Sequence, residues 1–156
     1  MNDESGFGSA ICAAESSDWA RWDCTNDPKK YDSPTLFTHD GELYLVARRH
    51  AADDGRYDTR HRLSFLRRAE NEVRDLSGPK RCSLWHFDRG HKRIDFMLDL
   101  PSKGNTCSPS VIAASAPNEY VIYDHSSDID GPDLSLSEGL SKETFVYRHV
   151  VRFDTP

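Results

Sequence analysis

Two stretches of this chain end on side chains that could do chemistry. SPTLFTHDGELYLVARRH runs from Ser33 to His50 directly after Asp32, and closes on Arg48, Arg49 and His50. SPSVIAASAPNEYVIYDH runs from Ser108 to His125 shortly after Asn105, and closes on Tyr123, Asp124 and His125. Aspartates can pass protons, guanidinium groups fork onto carboxylates, and an imidazole donates and accepts at once. Aromatic rings and an amide complete a set that suits a polar ligand. The competing reading is that these are solvated strand ends, with either aspartate in a salt bridge to Arg48, Arg49 or Arg148.

Each stretch reads as a β-hairpin. In the first, Pro34–Thr38 and Glu42–Arg48 flank His39-Asp40-Gly41, and Asp-Gly is a strong turn signal because Gly accepts positive φ. Alternation of Tyr44, Val46 and Arg48 with Leu43, Leu45 and Ala47 gives the strand period of two. In the second, Ser110–Ser115 and Glu119–Asp124 flank Ala116-Pro117-Asn118. Each Ser-Pro stands at a strand start, where the missing N–H of proline does least harm. Two further strands, Arg81–Phe87 and Lys92–Leu98, lie between the hairpins. Ser9–Ala14 and Trp22–Thr25 precede them, and Glu143–Phe153 follows.

A repeating unit of four antiparallel strands is the sequence sign of a propeller blade. The expected fold is therefore all-β, an incomplete β-propeller forming one domain over 1–156. Residues 1–28 would end one blade, 29–104 would form a complete blade and 105–156 an incomplete one. Residues 51–80 are a charged insertion in the complete blade. Within it, His61–Leu76 has helical character, with Leu63, Leu66, Val73 and Leu76 roughly on one face and Gly78-Pro79 as a stop. In such blades the start of the first strand and the end of the second share an edge. Asp32, Arg48, Arg49 and His50 should then meet Asn105, Asp124 and His125 on one rim, where the loops 51–80 and 127–142 also emerge.

Composition narrows the choices. Leu, Ile, Val and Phe make up 31 of 156 residues, close to the level at which a chain's own core becomes marginal. The net charge of −6 gives no footprint for a phosphate backbone, so nucleic acid is not an expected partner. No apolar run is long enough to span a membrane, and the acidic start MNDESGFGSA is unlike a signal peptide. That points to the cytoplasm if Met1 is the natural beginning. Cys12, Cys24, Cys82 and Cys107 show no paired metal-type spacing and read as buried thiols, with a Cys12–Cys24 disulfide as the alternative. The seven histidines form no ligand motif, so neither a metal nor a cofactor is expected.

YDSPTLFTHDGELYLVARRH, the lead-in LPSKGNTCSPSV, YVIYDHSSDIDGPD and TFVYRHVVRF together resemble the sialidase-like β-propellers, a broad set of bladed glycoside hydrolases. Glu15–Trp22 (ESSDWARW) is similar to the Asp-box turn of that group, although it lacks the glycine and brings Trp22 one residue too close. Such propellers need about six blades, so this chain would be a fragment or subunit. The resemblance implies a carbohydrate ligand, carboxylate-binding arginines and an inner-strand acid. It makes Asp32 and Asp124 the candidate catalytic pair, since glycoside cleavage uses two carboxyl groups about 5–9.5 Å apart. Arg48, Arg49, His50, Asn105, Tyr123 and His125 are then the candidate substrate-binding residues, with Tyr31 a further aromatic platform. Asn105 stands where the family commonly has Asp. The alternatives are a non-catalytic carbohydrate- or protein-binding propeller and an inactive truncated reading frame. Several copies could also close a ring and so cover unpaired sheet edges.

Overall fold

The computed structural model describes residues 8–14, 17, 19–52 and 63–154. They form mainly antiparallel β-structure without a closed barrel. Strands β1 (Ser9–Ala14) and β2 (Trp22–Asp27) make a two-stranded sheet. Strands β3 (Asp32–His39), β4 (Glu42–His50), β5 (Lys80–Asp88) and β6 (Arg93–Leu100) form a four-stranded meander in chain order. Strands β7 (Ser110–Ala113), β8 (Glu119–Ser126) and β9 (Phe145–Arg152) form a three-stranded one. The β3–β4 turn is tighter than the sequence suggested: His39 pairs with Glu42, leaving Asp40 (φ 49°) and Gly41 (φ 81°) as the two turn residues. Positive φ at both is the twist that a two-residue hairpin requires.

The four-stranded sheet is the middle layer and is buried on both faces. Val46, Cys82, Leu84 and Leu100 pack on Cys107, Ile122 and Val151 towards the three-stranded sheet. Leu45, Ala47, Trp85 and Ile94 pack with Tyr31 and Ile11 towards the two-stranded sheet. Adjacent residues such as Leu45 and Val46, or Leu84 and Trp85, therefore serve opposite cores, which is why these strands read as continuous apolar runs. The two-stranded sheet covers its neighbour only in part. A cleft of about 540 Å³ remains beside β1, lined mainly by apolar residues that include Trp22, Pro34, Leu36, Leu43 and Leu45.

Among the described residues, two helices ride on this stack. Helix α1 (Ser64–Ser77) occupies the expected insertion; His61 and Arg62 lie outside the described residues. Its buried side is polar, formed by Asn71 and Asp75, while Leu63, Leu66, Val73 and Leu76 face outwards. The apolar stripe is thus not the docking face, because the sheet edge below presents His50 and Lys80 rather than hydrocarbon. Helix α2 (Leu136–Leu140) starts in a capping box between Ser135 and Glu138. The cysteines are paired rather than free: Cys12 bonds Cys24 across β1 and β2, and Cys82 of β5 bonds Cys107 of the β6–β7 loop. Of the Asp-box-like turn, Glu15, Ser16 and Asp18 lie outside the described residues, while the Trp19 and Trp22 ring centroids are 5.5 Å apart.

Candidate functional site

The two Ser-Pro strand starts lie side by side. The Thr35 hydroxyl donates to the Pro109 carbonyl at 2.7 Å, tying β3 to the start of the next sheet. At the same edge Asp32 pairs with Arg48, whose Nη2 lies 3.6 Å from Asp32 Oδ2. Arg48 Nη1 donates to the Thr106 carbonyl at 3.4 Å. The Thr106 hydroxyl is shared between Asp124 Oδ2 at 3.1 Å and the His125 carbonyl at 3.0 Å. The Ser108 N–H donates to the other Asp124 oxygen at 3.2 Å. A chain of contacts thus runs from Asp32 through Arg48 and Thr106 to Asp124.

Both carboxylates are buried. Asp32 is 9% exposed and Asp124 2% exposed. Burial raises the Asp124 pKa, and the Thr106 hydroxyl, the His125 ring and the Ser108 amide restrain that rise. Asp32 is also engaged from below, 3.5 Å from Lys30 Nζ. Lys30 reaches Asp75 Oδ2 of α1 at 2.8 Å, and the fully buried Lys80 Nζ bonds the other Asp75 oxygen. Burial alone would raise the Asp75 carboxyl, but Lys80 and Lys30 outweigh it and hold the pKa below its usual value.

The remaining candidates divide into tied and open groups. Arg49 already holds a carboxylate: its Nε and Nη2 meet the two oxygens of Asp99 at 2.9 and 2.6 Å. Its guanidinium also lies 5.1 Å from the centre of the Phe96 ring. His50 is buried beneath the end of α1, with Nε2 3.3 Å from the Arg74 carbonyl and Nδ1 accepting from the Ala52 N–H at 3.2 Å. Those partners assign the proton to Nε2. Burial lowers the His50 pKa, and the Lys80 charge lowers it further. Tyr31 is no platform, since it is buried with its ring edge-on to Trp85. Asn105 is half-buried in the β6–β7 loop, its backbone N–H donating to Ser127 Oγ at 3.3 Å.

Tyr123 and His125 lie elsewhere than Asp124. Alternation along β8 turns Asp124 into the core and places Tyr123 and His125 on the outer face of the last sheet. The register sets Tyr123 opposite Arg148 and His125 opposite Val146. Among the described residues, the Tyr123 hydroxyl, the His125 ring and the Arg148 guanidinium have no hydrogen-bond partner. Ile112, Val146 and Val150 are exposed on the same layer.

Sequence reasoning missed Asp75, Lys80 and Asp99, which neutralise the groups it selected. One signal was readable: a meander that returns the second strand's end to the rim also brings the fourth strand's end there, and with it Asp99. No helix among the described residues is long and apolar enough to cross a membrane. Comparisons with protein-family models, with curated proteins and with solved structures find no match to this chain.

Proposed function

We propose that this chain is a run of sialidase-like propeller blades that binds a carbohydrate and does not cleave it. The observation carrying the reading is the juxtaposition of Tyr123, Arg148 and His125 on the exposed face of the three-stranded sheet. A phenol ring can stack on a sugar face, an imidazole can meet its hydroxyls, and a guanidinium suits an acidic sugar's carboxylate. Hydrolysis is not part of the proposal, because Asp32 and Asp124 are buried and hydrogen-bonded or ion-paired within the protein. Asp32 anchors Arg48 and Lys30, and Asp124 anchors Thr106 and Ser108 at the start of its own sheet.

A glycan panel that includes acidic sugars tests this, with chromogenic glycosides run in parallel. Binding should weaken at least about tenfold in Tyr123→Ala and Arg148→Ala, consistent with the loss of one good contact each. Asp32→Asn should leave binding unchanged, and no glycoside should be turned over. Absence of any bound glycan, or binding indifferent to Tyr123→Ala, overturns the binding site. Turnover that disappears in Asp124→Asn would reinstate a hydrolase.

A second reading rests on Ile112, Val146 and Val150, which are 55%, 76% and 50% exposed around the same patch. A face of this kind also suits another blade, supplied by a second copy or by further chain. Light scattering separates the two: a ring or dimer whose formation is abolished by Val146→Asp favours assembly, and a monomer that still binds glycan favours the first reading.

A further inference from the structure

We propose that the reduced pair Cys82 and Cys107, together with Asp124 and His149, forms a binding site for a thiolate-seeking divalent cation of the zinc class. The two sulfurs and a carboxylate oxygen of Asp124 all lie within 4.8 Å of one another, and all three residues are buried. They come from three different places, namely β5, the β6–β7 loop and β8, so the fold converges them. Sequence spacing gave no hint, because Cys82 and Cys107 are 25 residues apart.

His149 stands beside this group of three, outside its 4.8 Å circle, and is the side chain we assign as the fourth donor. On β9 it pairs with Ile122, while Asp124 pairs with Tyr147, so His149 and Asp124 share the inner face one step apart on the diagonal. Its Nε2 is buried without a hydrogen-bond partner among the described residues. Two sulfurs, one oxygen and one nitrogen make the donor set that zinc accepts in tetrahedral sites. Two thiolates and a carboxylate exceed the cation's double charge by one. The guanidinium of Arg48, joined to Asp124 through Thr106, stands nearby to balance it.

The two states exchange cleanly. A dithiol reductant gives two electrons and two protons to the Cys82–Cys107 bond, becoming a disulfide itself and leaving two thiols. Zinc then displaces both thiol protons to solvent and takes the sulfurs as thiolates. In reverse, a small-molecule disulfide takes two electrons from the two thiolates and, with two protons from solvent, leaves as two thiols, so that the Cys82–Cys107 bond re-forms and the cation is released.

The test uses the whole chain, reduced with a dithiol, freed of reductant without oxygen, and titrated with zinc and with cobalt(II). Reduced protein should bind about one cation, and cobalt should give the thiolate charge-transfer and tetrahedral bands of such a site. Oxidised protein should bind none. His149→Ala should weaken affinity at least about tenfold, and the Cys12→Ser/Cys24→Ser variant should bind as the wild type does. Reduced wild-type protein that binds no cation overturns the proposal even if Cys82→Ser fails to fold. Binding that follows Cys12 and Cys24, or that ignores His149→Ala, overturns it equally.

Discussion

Gly78 lies so close to His50 that a Cβ on the glycine would fall 1.8 Å from the imidazole Nε2. The glycine has φ −92°, a conformation open to any residue, so steric contact and not backbone freedom demands it. Gly78→Ala is expected to cost about 1–3 kcal/mol as an overpacked site, read from a urea unfolding midpoint. Combining it with His50→Ala should recover part of that loss, giving a coupling of about 1 kcal/mol or more. Strict additivity would mean that the two side chains do not share this space.

The ionic group beneath Asp32 should respond unequally to its two halves. Asp75→Asn leaves the Lys80 ammonium, 1% exposed, without its nearest carboxylate and should cost about 3–5 kcal/mol. Lys80→Met should cost distinctly less, because Asp75 keeps Lys30 at 2.8 Å and a long apolar chain fills the space. Equal losses in denaturant midpoint would refute the asymmetry.

Asp124 should make stability depend on pH in a recognisable direction. Its folded pKa is raised, chiefly by burial, so the folded state holds this proton more tightly than the unfolded chain does. That contribution is complete below the ordinary carboxylate range, roughly pH 4, and is lost as pH rises through the folded value, by at most about 1.4 kcal/mol per pH unit. Asp75, Asp99 and Asp133 have lowered values and act in the opposite sense, losing their contribution as pH falls. The readout is therefore the difference between Asp124→Asn and wild type. The variant's relative stability should climb from acid towards neutral pH and then level off.

At the far end of the strands, Phe153 stacks on His39 with ring centroids 4.4 Å apart and meets Tyr44 at 4.7 Å. Its N–H also donates to the Asn118 carbonyl at 2.9 Å, locking the chain after β9 onto the β7–β8 turn. Phe153→Ala is expected to cost about 2–3 kcal/mol in thermal unfolding. A loss below about 0.5 kcal/mol would show that this aromatic group adds little to the joint between the sheets.

Much of the strand plan was legible because period-two patterning and turn chemistry are local. Asp40-Gly41 fixed one hairpin, and Gly78-Pro79 fixed the helix stop. What lay beyond reach depended on partners distant in the chain. The outward turn of Leu66 and Val73 could not be read from α1 alone, since the polar seat comes from His50, Lys80 and Lys30. Arg49 looked available for a ligand because Asp99, 50 residues on, gave no local sign of filling its fork. The same holds for Cys82 and Cys107, whose meeting requires two sheets to be stacked. The candidate rim was thus placed by pattern, and its burial was set by tertiary packing.

Among the described residues, each sheet draws its strands from one stretch of chain, 9–27, 32–100 or 110–152, with no strand borrowed from another. A ribosome would therefore release each layer complete before the next begins, and early layers need not wait for late ones to pair their backbones. The joints are different: Arg48 to Thr106, Thr35 to Pro109 and Cys82 to Cys107 all require the segment after Leu100. Nascent chains halted near that point should hold a formed meander with one bare side, and the final stacking should register as a separate, later event.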